Sequence, residues 1–523
     1  MQYNSTILNK PINESIDVAQ FADIGESKMN EKEEFVEEMV AKPGEALAHS
    51  CSAVKYMFNL FCLPGARQGI EVAAPTQMIF KDAENDMHYK RSLKAGRLNR
   101  WLDAIVEFSG SAYIFFFIMT ALFTWVFMGI PFGHSNYWQI VISDSQAILS
   151  YVFDSLLMRQ QLNGYLSNLE VSACLRSRCA SHKRMLRKLN ATIDYRKMDG
   201  AKVDYFAIRL PSENWFGRMC TRASFFFGHI FTVVIFWIGI IIWLGFGQYC
   251  GWNNDWQLYI NSATSAMMVL YFSFLANIRE RHSRYSRKCV DLIYQADSAL
   301  EYKLRVLTSD ETPNQPIMIP GLQVGKIQRV IDYYADLVGT LSGIAILIIV
   351  LIIWIVAGPL MSFSDNWWLL IGTYTGLIGM NDGFVLRNIH HVLRVHEDIQ
   401  FEEVDMEDSQ AFAIINLAES NGDHFSKRSF STRLSLAVGN VCSSKYMVIA
   451  GTSTMVGLII ISSSMNWSLT GQLISNVPPS IIETFFMMIL ITGHNDFETK
   501  RRVDLHNIYA KRLKLLSYVN TLM

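Results

Sequence analysis

The sequence predicts an all-α, polytopic membrane protein of about eight transmembrane helices. They are laid out as four parallel two-helix repeats with helical connectors on the cytoplasmic side. Three observations carry this. First, half of the 523 residues are hydrophobic and only 18% are charged. The apolar excess is concentrated in runs near 108–130, 138–161, 224–247, 256–278, 337–357, 367–387, 446–464 and 471–494, each close to the roughly 20 residues that span ~30 Å of hydrocarbon. Second, a formal net charge of −1 hides segregation. Arg176, Arg178, Lys183, Arg184, Arg187 and Lys188 join the first hairpin to the second; Arg279, Arg281, Arg284, Arg287 and Lys288 join the second to the third; Arg387, Arg394, Lys427 and Arg428 join the third to the fourth. The turns inside the hairpins hold no Lys or Arg. By the positive-inside rule the connectors and both termini are cytoplasmic. Third, Trp125 and Trp138, Trp243 and Trp256, and Trp354 and Trp367 stand equally far apart, one closing an apolar run and the other opening the next. Interfacial tryptophans account for the residue type; the shared spacing points to duplication of a two-helix unit.

In order, the chain divides into a cytoplasmic N-terminal region (1–95), a hairpin (96–162), a connector (163–214), a hairpin (215–279), a connector (280–330), a hairpin (331–388), a connector (389–429), a hairpin (430–495) and a cytoplasmic tail (496–523). The N-terminal region carries an acidic run, Glu31, Glu33, Glu34, Glu37 and Glu38, and an apolar patch, AVKYMFNLFCLPG. Neither has a chemistry of its own. The basic runs flank apolar segments and lack interleaved aromatic platforms, which argues against nucleic acid as a partner. Eight cysteines show no secreted disulfide framework.

The second run, WQIVISDSQAILSYVFDSLLMRQQL, is lipid-like except for one stripe. At ~100° per residue, Asp144, Tyr151, Asp154, Ser155 and Met158 fall on one helix face. A charge at bilayer depth costs on the order of 2.5–3.5 kcal/mol by insertion scales, so such residues face a cavity or a partner. Superposing the units on their second tryptophan, with Trp467 taken as that residue in the fourth, puts Asp154 and Glu483 at one depth and Asp382 one position short. The second unit has Phe272 there, with Asn261, Ser265 and Met268 as its polar face.

In the last run Gln472, Asn476, Glu483, Met487 and His494 share a face. Pro478 and Pro479 are expected to break the helix in mid-membrane, freeing carbonyls where a transport site is often built. In the sixth, Asp382 and Thr375 lie beside a glycine stripe, Gly372, Gly376, Gly379 and Gly383, whose simplest role is close helix packing. Arg159 and Arg387 each follow an acid by five residues, so a structural ion pair is the competing reading. The candidate metal ligands are therefore Asp154, Asp382, Glu483, Asp144, Met158, Met487 and His494. Tyr151, Gln472, Asn476, Thr375 and Asn261 line the same path. Carboxylate, amide and hydroxyl oxygens suit hard cations, while the Met and His donors add affinity for first-row divalent metals. The set predicts modest affinity and imperfect selectivity.

The segments SYVFDSLLMRQQL, ENWFGRM, VIFWIGIIIWLGFG, DWQLYIN, DNWWLLIGTYTGLIG with DGFVLR, and TGQLISNVPPSIIE resemble the fungal low-affinity iron(II) permease family. The resemblance runs over roughly 98–520 and includes order and spacing. It implies plasma-membrane uptake of Fe(II), with copper and zinc as secondary substrates. It supplies no ligand set, so the carboxylates rest on position and chemistry.

The expected function is low-affinity import of Fe(II), as substrate rather than cofactor, by a multi-pass protein whose partners are divalent metal ions and the lipid bilayer. Fe(II) would be recruited at outside turns holding Asp255, Asp365 and His134 and would lose hydration water to the carboxylates. No phosphate-binding loop is present, and no enzyme or cofactor is expected. His390, His391 and His396 are too few for a metal oxidase. A passive divalent-cation channel is the alternative, and homo-oligomerisation is left open.

Overall fold

Among the described residues, twelve helices and two short strands follow one another, the helices in a pattern that repeats four times. The computed structural model describes residues 69–76, 88–89, 96–133, 135–192, 211, 213–417 and 430–523, all within one compact unit, Gly65–Met523. The acidic run and apolar patch of the N-terminal region, His134, Lys427 and Arg428 lie outside them, as does the side chain of Asp365. After strand β1 (Ile70–Val72) come α1 (Arg97–Ser109), α2 (Ala112–Phe132) and α3 (Asn136–Thr192), then α4 (Trp215–Phe227), α5 (Ile230–Gly247) and α6 (Asn254–Thr308). Strand β2 (Ile317–Ile319) precedes α7 (Lys326–Gly339), α8 (Leu341–Leu360) and α9 (Asp365–Ile414), and the chain ends with α10 (Phe430–Cys442), α11 (Lys445–Ser464) and α12 (Leu469–Asn520). The strands pair antiparallel, Ile70 opposite Ile319.

Each triplet is a short helix of 13 or 14 residues, an apolar helix of 18 to 21, and a helix of 50 to 57. Hydropathy alone merges the short helix with the apolar one that follows. What separates them is an elbow at Gly110–Ser111, Gly228–His229, Gly339–Thr340 and Ser443–Ser444. Ser111, His229 and Ser444 cap the next helix by accepting from its first turn. Among the described residues, α2, α5, α6, α8, α11 and α12 are long and apolar enough to cross a membrane. The runs at 138–161 and 367–387, counted among the expected eight, do not reach that standard; the polar stripe of α3 and the Gly, Thr and Asn content of α9 dilute them.

The four long helices pass without a break through positions 162, 279, 388 and 495, because no proline interrupts them there. They pack in a ring, α3 on α6, α6 on α12, α12 on α9 and α9 on α3. The elbows lock the ring. The Gly110 carbonyl accepts from Asn277 (3.1 Å), that of Gly228 from Thr492 (2.5 Å), that of Gly339 from Arg159 (3.5 Å) and that of Ser443 from Asn388 (2.7 Å). Every unit thus leans on the long helix of the next around the ring. A Cβ on Gly110 would stand 2.7 Å from the Glu280 Cβ and 2.8 Å from the Ala276 carbonyl, so only glycine permits this approach.

The tryptophans are not merely interfacial. Trp125 and Trp138 stack at 4.2 Å, Trp243 and Trp256 at 3.9 Å, and Trp354 and Trp367 at 4.3 Å. Each indole N–H donates to the other's backbone carbonyl. In the fourth unit the same two carbonyl positions are Leu458 and Gly471, served by the Ser475 and Ser462 hydroxyls. Trp467 is therefore not the counterpart of Trp138. It matches Trp252 and Phe363: the backbone N–H groups of Trp252, Phe363 and Trp467 donate to Gly247, Gly358 and Ser462 at 2.9 Å each, with φ of 54°, 47° and 52°.

Candidate metal site

The corrected register changes the depth of the acids. Asp154 stands sixteen residues after Trp138, Asp382 fifteen after Trp367, and Glu483 only twelve after Gly471. At 1.5 Å per residue Glu483 lies about 5 Å nearer the tryptophan end. The helices that carry them, α3, α9 and α12, are nonetheless consecutive in the ring, and Glu483 Oε1 lies against Gly379, one turn before Asp382 on α9. All three are at most 2% exposed.

Their partners are few. The Tyr334 hydroxyl, on α7, donates to Asp382 Oδ1 (2.5 Å). Asp154 Oδ2, Asp382 Oδ2 and Glu483 Oε1 have no hydrogen-bond partner. Among the described residues no Lys or Arg forms an ion pair with any of them. Arg159 is held by Asp103 (2.7 Å), and the Arg387 guanidinium lies against Gly439 and Gly493. The glycine stripe does more than pack: a Cβ on Gly379 would stand 3.0 Å from Glu483 Oε1, so this glycine makes room for the carboxylate. Tyr151 meets Tyr374 edge-on at 5.9 Å.

Above the acids runs a polar column. Ser143, Asn261, Gly372 and Asn476 each stand five residues past their unit's reference position. Asn261 donates to Ser143 (2.5 Å), and the Asn476 amide fills the space over Gly372 and Gly376. Below them Gln146 donates to Ser150 (2.5 Å) and accepts from Ser265 (3.2 Å), while Thr264 meets Ser480 (3.0 Å). These groups connect the tryptophan end to the carboxylates with oxygen and amide donors throughout.

Several expected members are placed elsewhere. Asp144 is ten residues before Asp154, about 15 Å toward the tryptophan end. Met158 lies within the apolar core, beside Gly339. Met487 is also fully buried in that core. Thr375 spends its hydroxyl on the carbonyls of Ile371 and Gly372, and Gln472 donates to the Trp467 carbonyl (2.8 Å). His494 is eleven residues past Glu483, against His282 rather than the acids. The break at Pro478 and Pro479 does not occur: α12 is continuous, tied laterally through Ser475 to Ser462 and through Ser480 to Thr264. Tyr334 was not foreseen, because α7 reads as the start of the next apolar run; the periodic burial of Gln328, Asp332, Ala335 and Gly339 is the signal that separates it.

Away from the acids, the basic halves of the long helices bury ion pairs. Arg512 meets Asp408 (2.7 Å) and Asp297 (3.1 Å), Glu301 meets Arg305 (2.9 Å) and Arg178 (3.6 Å), and Arg501 meets Glu397 (3.0 Å). Burial pushes the Asp408 carboxyl up to about 6, with the Arg512 charge opposing it.

A family model described as low affinity iron permease matches residues 216–320, 327–390 and 431–517, which include Asp382 and Glu483. The chain is 34% identical to the low-affinity iron/zinc ion transport protein fet4 of Schizosaccharomyces pombe, over 93% of this chain and 91% of that protein. It is 36% identical to the low-affinity Fe(2+) transport protein of Saccharomyces cerevisiae, over 82% and 84%. No solved structure matches. With six helices apolar enough to cross a membrane and relatives matched over most of their length, the chain is a multi-pass membrane protein belonging to the low-affinity iron permease family.

Proposed function

We propose that this protein imports Fe(II), and Zn(II) as a second substrate, across the plasma membrane, with both termini cytoplasmic and eight spans forming four parallel units. The first halves of α3 and α9 supply the two spans beyond the six that are apolar enough on their own. The observation that carries the reading is a trio of buried carboxylates without a basic partner among the described residues, at the foot of a polar column. An ion arriving from the tryptophan end exchanges water for Asn476, Asn261 and Ser143, then for Glu483, Asp382 and Asp154. Buried acids are costly when uncompensated, and a divalent cation is the compensation this geometry accepts. Oxygen donors hold Fe(II) and Zn(II) less tightly than imidazole or thiolate does, which fits the low affinity in the relatives' names. Two charges moving inward gain about 4.6 kcal/mol per 100 mV, so no nucleotide is required.

The ring of four similar units also favours a second reading, a passive divalent-cation channel. Radiolabelled Fe(II) uptake in cells lacking iron import, competed with Zn(II), Cu and Mn(II), separates the two. Saturable uptake inhibited by Zn(II) supports the importer, whereas unsaturable, ohmic metal current supports the pore. No uptake by protein present at the cell surface would refute both.

A further inference from the structure

We infer that His282, His494 and Glu498 form a second transition-metal site at the basic end of the ring. His494 and Glu498 are one turn apart on α12, and His282 faces them from α6. One nitrogen of each ring and one carboxylate oxygen lie within 4.8 Å of one another. His282 Nδ1 is 3.0 Å from His494 Nε2, with the rings nearly parallel at 5.0 Å. Two imidazoles and a carboxylate form a donor set suited to Fe(II), Zn(II) or Co(II) with positions left for water.

The second observation is unspent bonding capacity. Glu498 Oε2 has no hydrogen-bond partner, although Glu498 is only 8% exposed. Binding moves the proton shared by the facing nitrogens to a far ring nitrogen, leaving both facing lone pairs for the metal. His494 and Glu498 line a cavity of about 150 Å³ that also holds His390 and Arg279, so the metal's open positions face water. Arg279 lines the same cavity, and its charge lowers the affinity for a cation. A weak, open site of this kind suits release rather than storage. Its cargo follows from the transport reading; the site stands on its own three donors.

Co(II) binding to the purified full-length protein in detergent tests it. The energies and intensities of the visible d–d bands separate a mixed nitrogen–oxygen shell from an all-oxygen one, and X-ray absorption of the Zn(II) form reports imidazole scattering. Wild type and Glu483→Gln are expected to show both signatures, and His282→Ala and Glu498→Gln to lose them. Elution and melting of the unliganded variants check folding, and His282→Gln replaces His282→Ala should the latter aggregate. Retention of both signatures in folded His282 and Glu498 variants would overturn the site, as would their absence from wild type. Their loss in Glu483→Gln alone would assign the metal to the carboxylates, sinking this inference while leaving the transport reading intact.

Discussion

The two halves of the four long helices bury charge in opposite ways. In the basic half every member of the Arg512, Asp408 and Asp297 cluster and of the Glu301, Arg305 and Arg178 cluster sits in an ion pair. In the apolar half Asp154, Asp382 and Glu483 have one tyrosine hydroxyl among them and no cation. The same helices, in the same ring, thus bury charge once with an ionic partner and once without a basic partner among the described residues. Paired charge fixes which helices meet; unpaired charge is what a transported ion can use.

Removing the unpaired acids breaks the comparison most severely. Asp154→Ala and Glu483→Ala are expected to abolish Fe(II) uptake while surface biotinylation stays at the wild-type level. Charge removed from the paired half should act oppositely. Arg512→Ala leaves Asp297 and Asp408 buried without compensation, at a cost of about 3–5 kcal/mol. Loss of folded protein in a thermal melt, with near-normal uptake per surviving surface molecule, is the expected outcome.

Gly379→Ala sharpens the account at smaller cost. The new methyl displaces the Glu483 carboxylate, so the half-saturating Fe(II) concentration should rise severalfold with little change in expression, as read from a saturation series. The smallest effect is pH-dependent. Burial alone would raise the Asp310 carboxyl, but the Thr312 backbone N–H (2.8 Å) and the Arg184 guanidinium (3.0 Å) outweigh it and hold the group at about 2. Its folded value is below the ordinary one, so its contribution is present above about pH 4 and is lost as pH falls toward 2. The melting-temperature gap between wild type and Asp310→Asn should close over that interval, by the equivalent of less than about 1 kcal/mol.

Much of this was legible in the residues. Long apolar runs with basic connectors announce the membrane helices, and acids within such runs announce buried carboxylates, since both follow from the local cost of putting charge in lipid. Register was less legible. Trp467 stands where a second tryptophan is expected, but its backbone geometry belongs with Trp252 and Phe363, and serines at 462 and 475 do the work of the missing indole pair. The prolines misled because a local rule predicts a break, while side-chain ties from α6 and α11 keep α12 continuous. Tyr334 and His282 were beyond reach for a simpler reason. Each meets its partner across a helix interface, and no pattern within one segment encodes such a pairing.

The central proposal is that the carboxylates bind the transported ion because no Lys or Arg among the described residues neutralises them. Asp154→Asn keeps the size of the side chain and removes only its charge. Surface-normalised, concentration-dependent Fe(II) uptake by this variant is the most direct test. The account predicts uptake at the background of untransformed cells, and a saturation curve superimposable on that of wild type would contradict it.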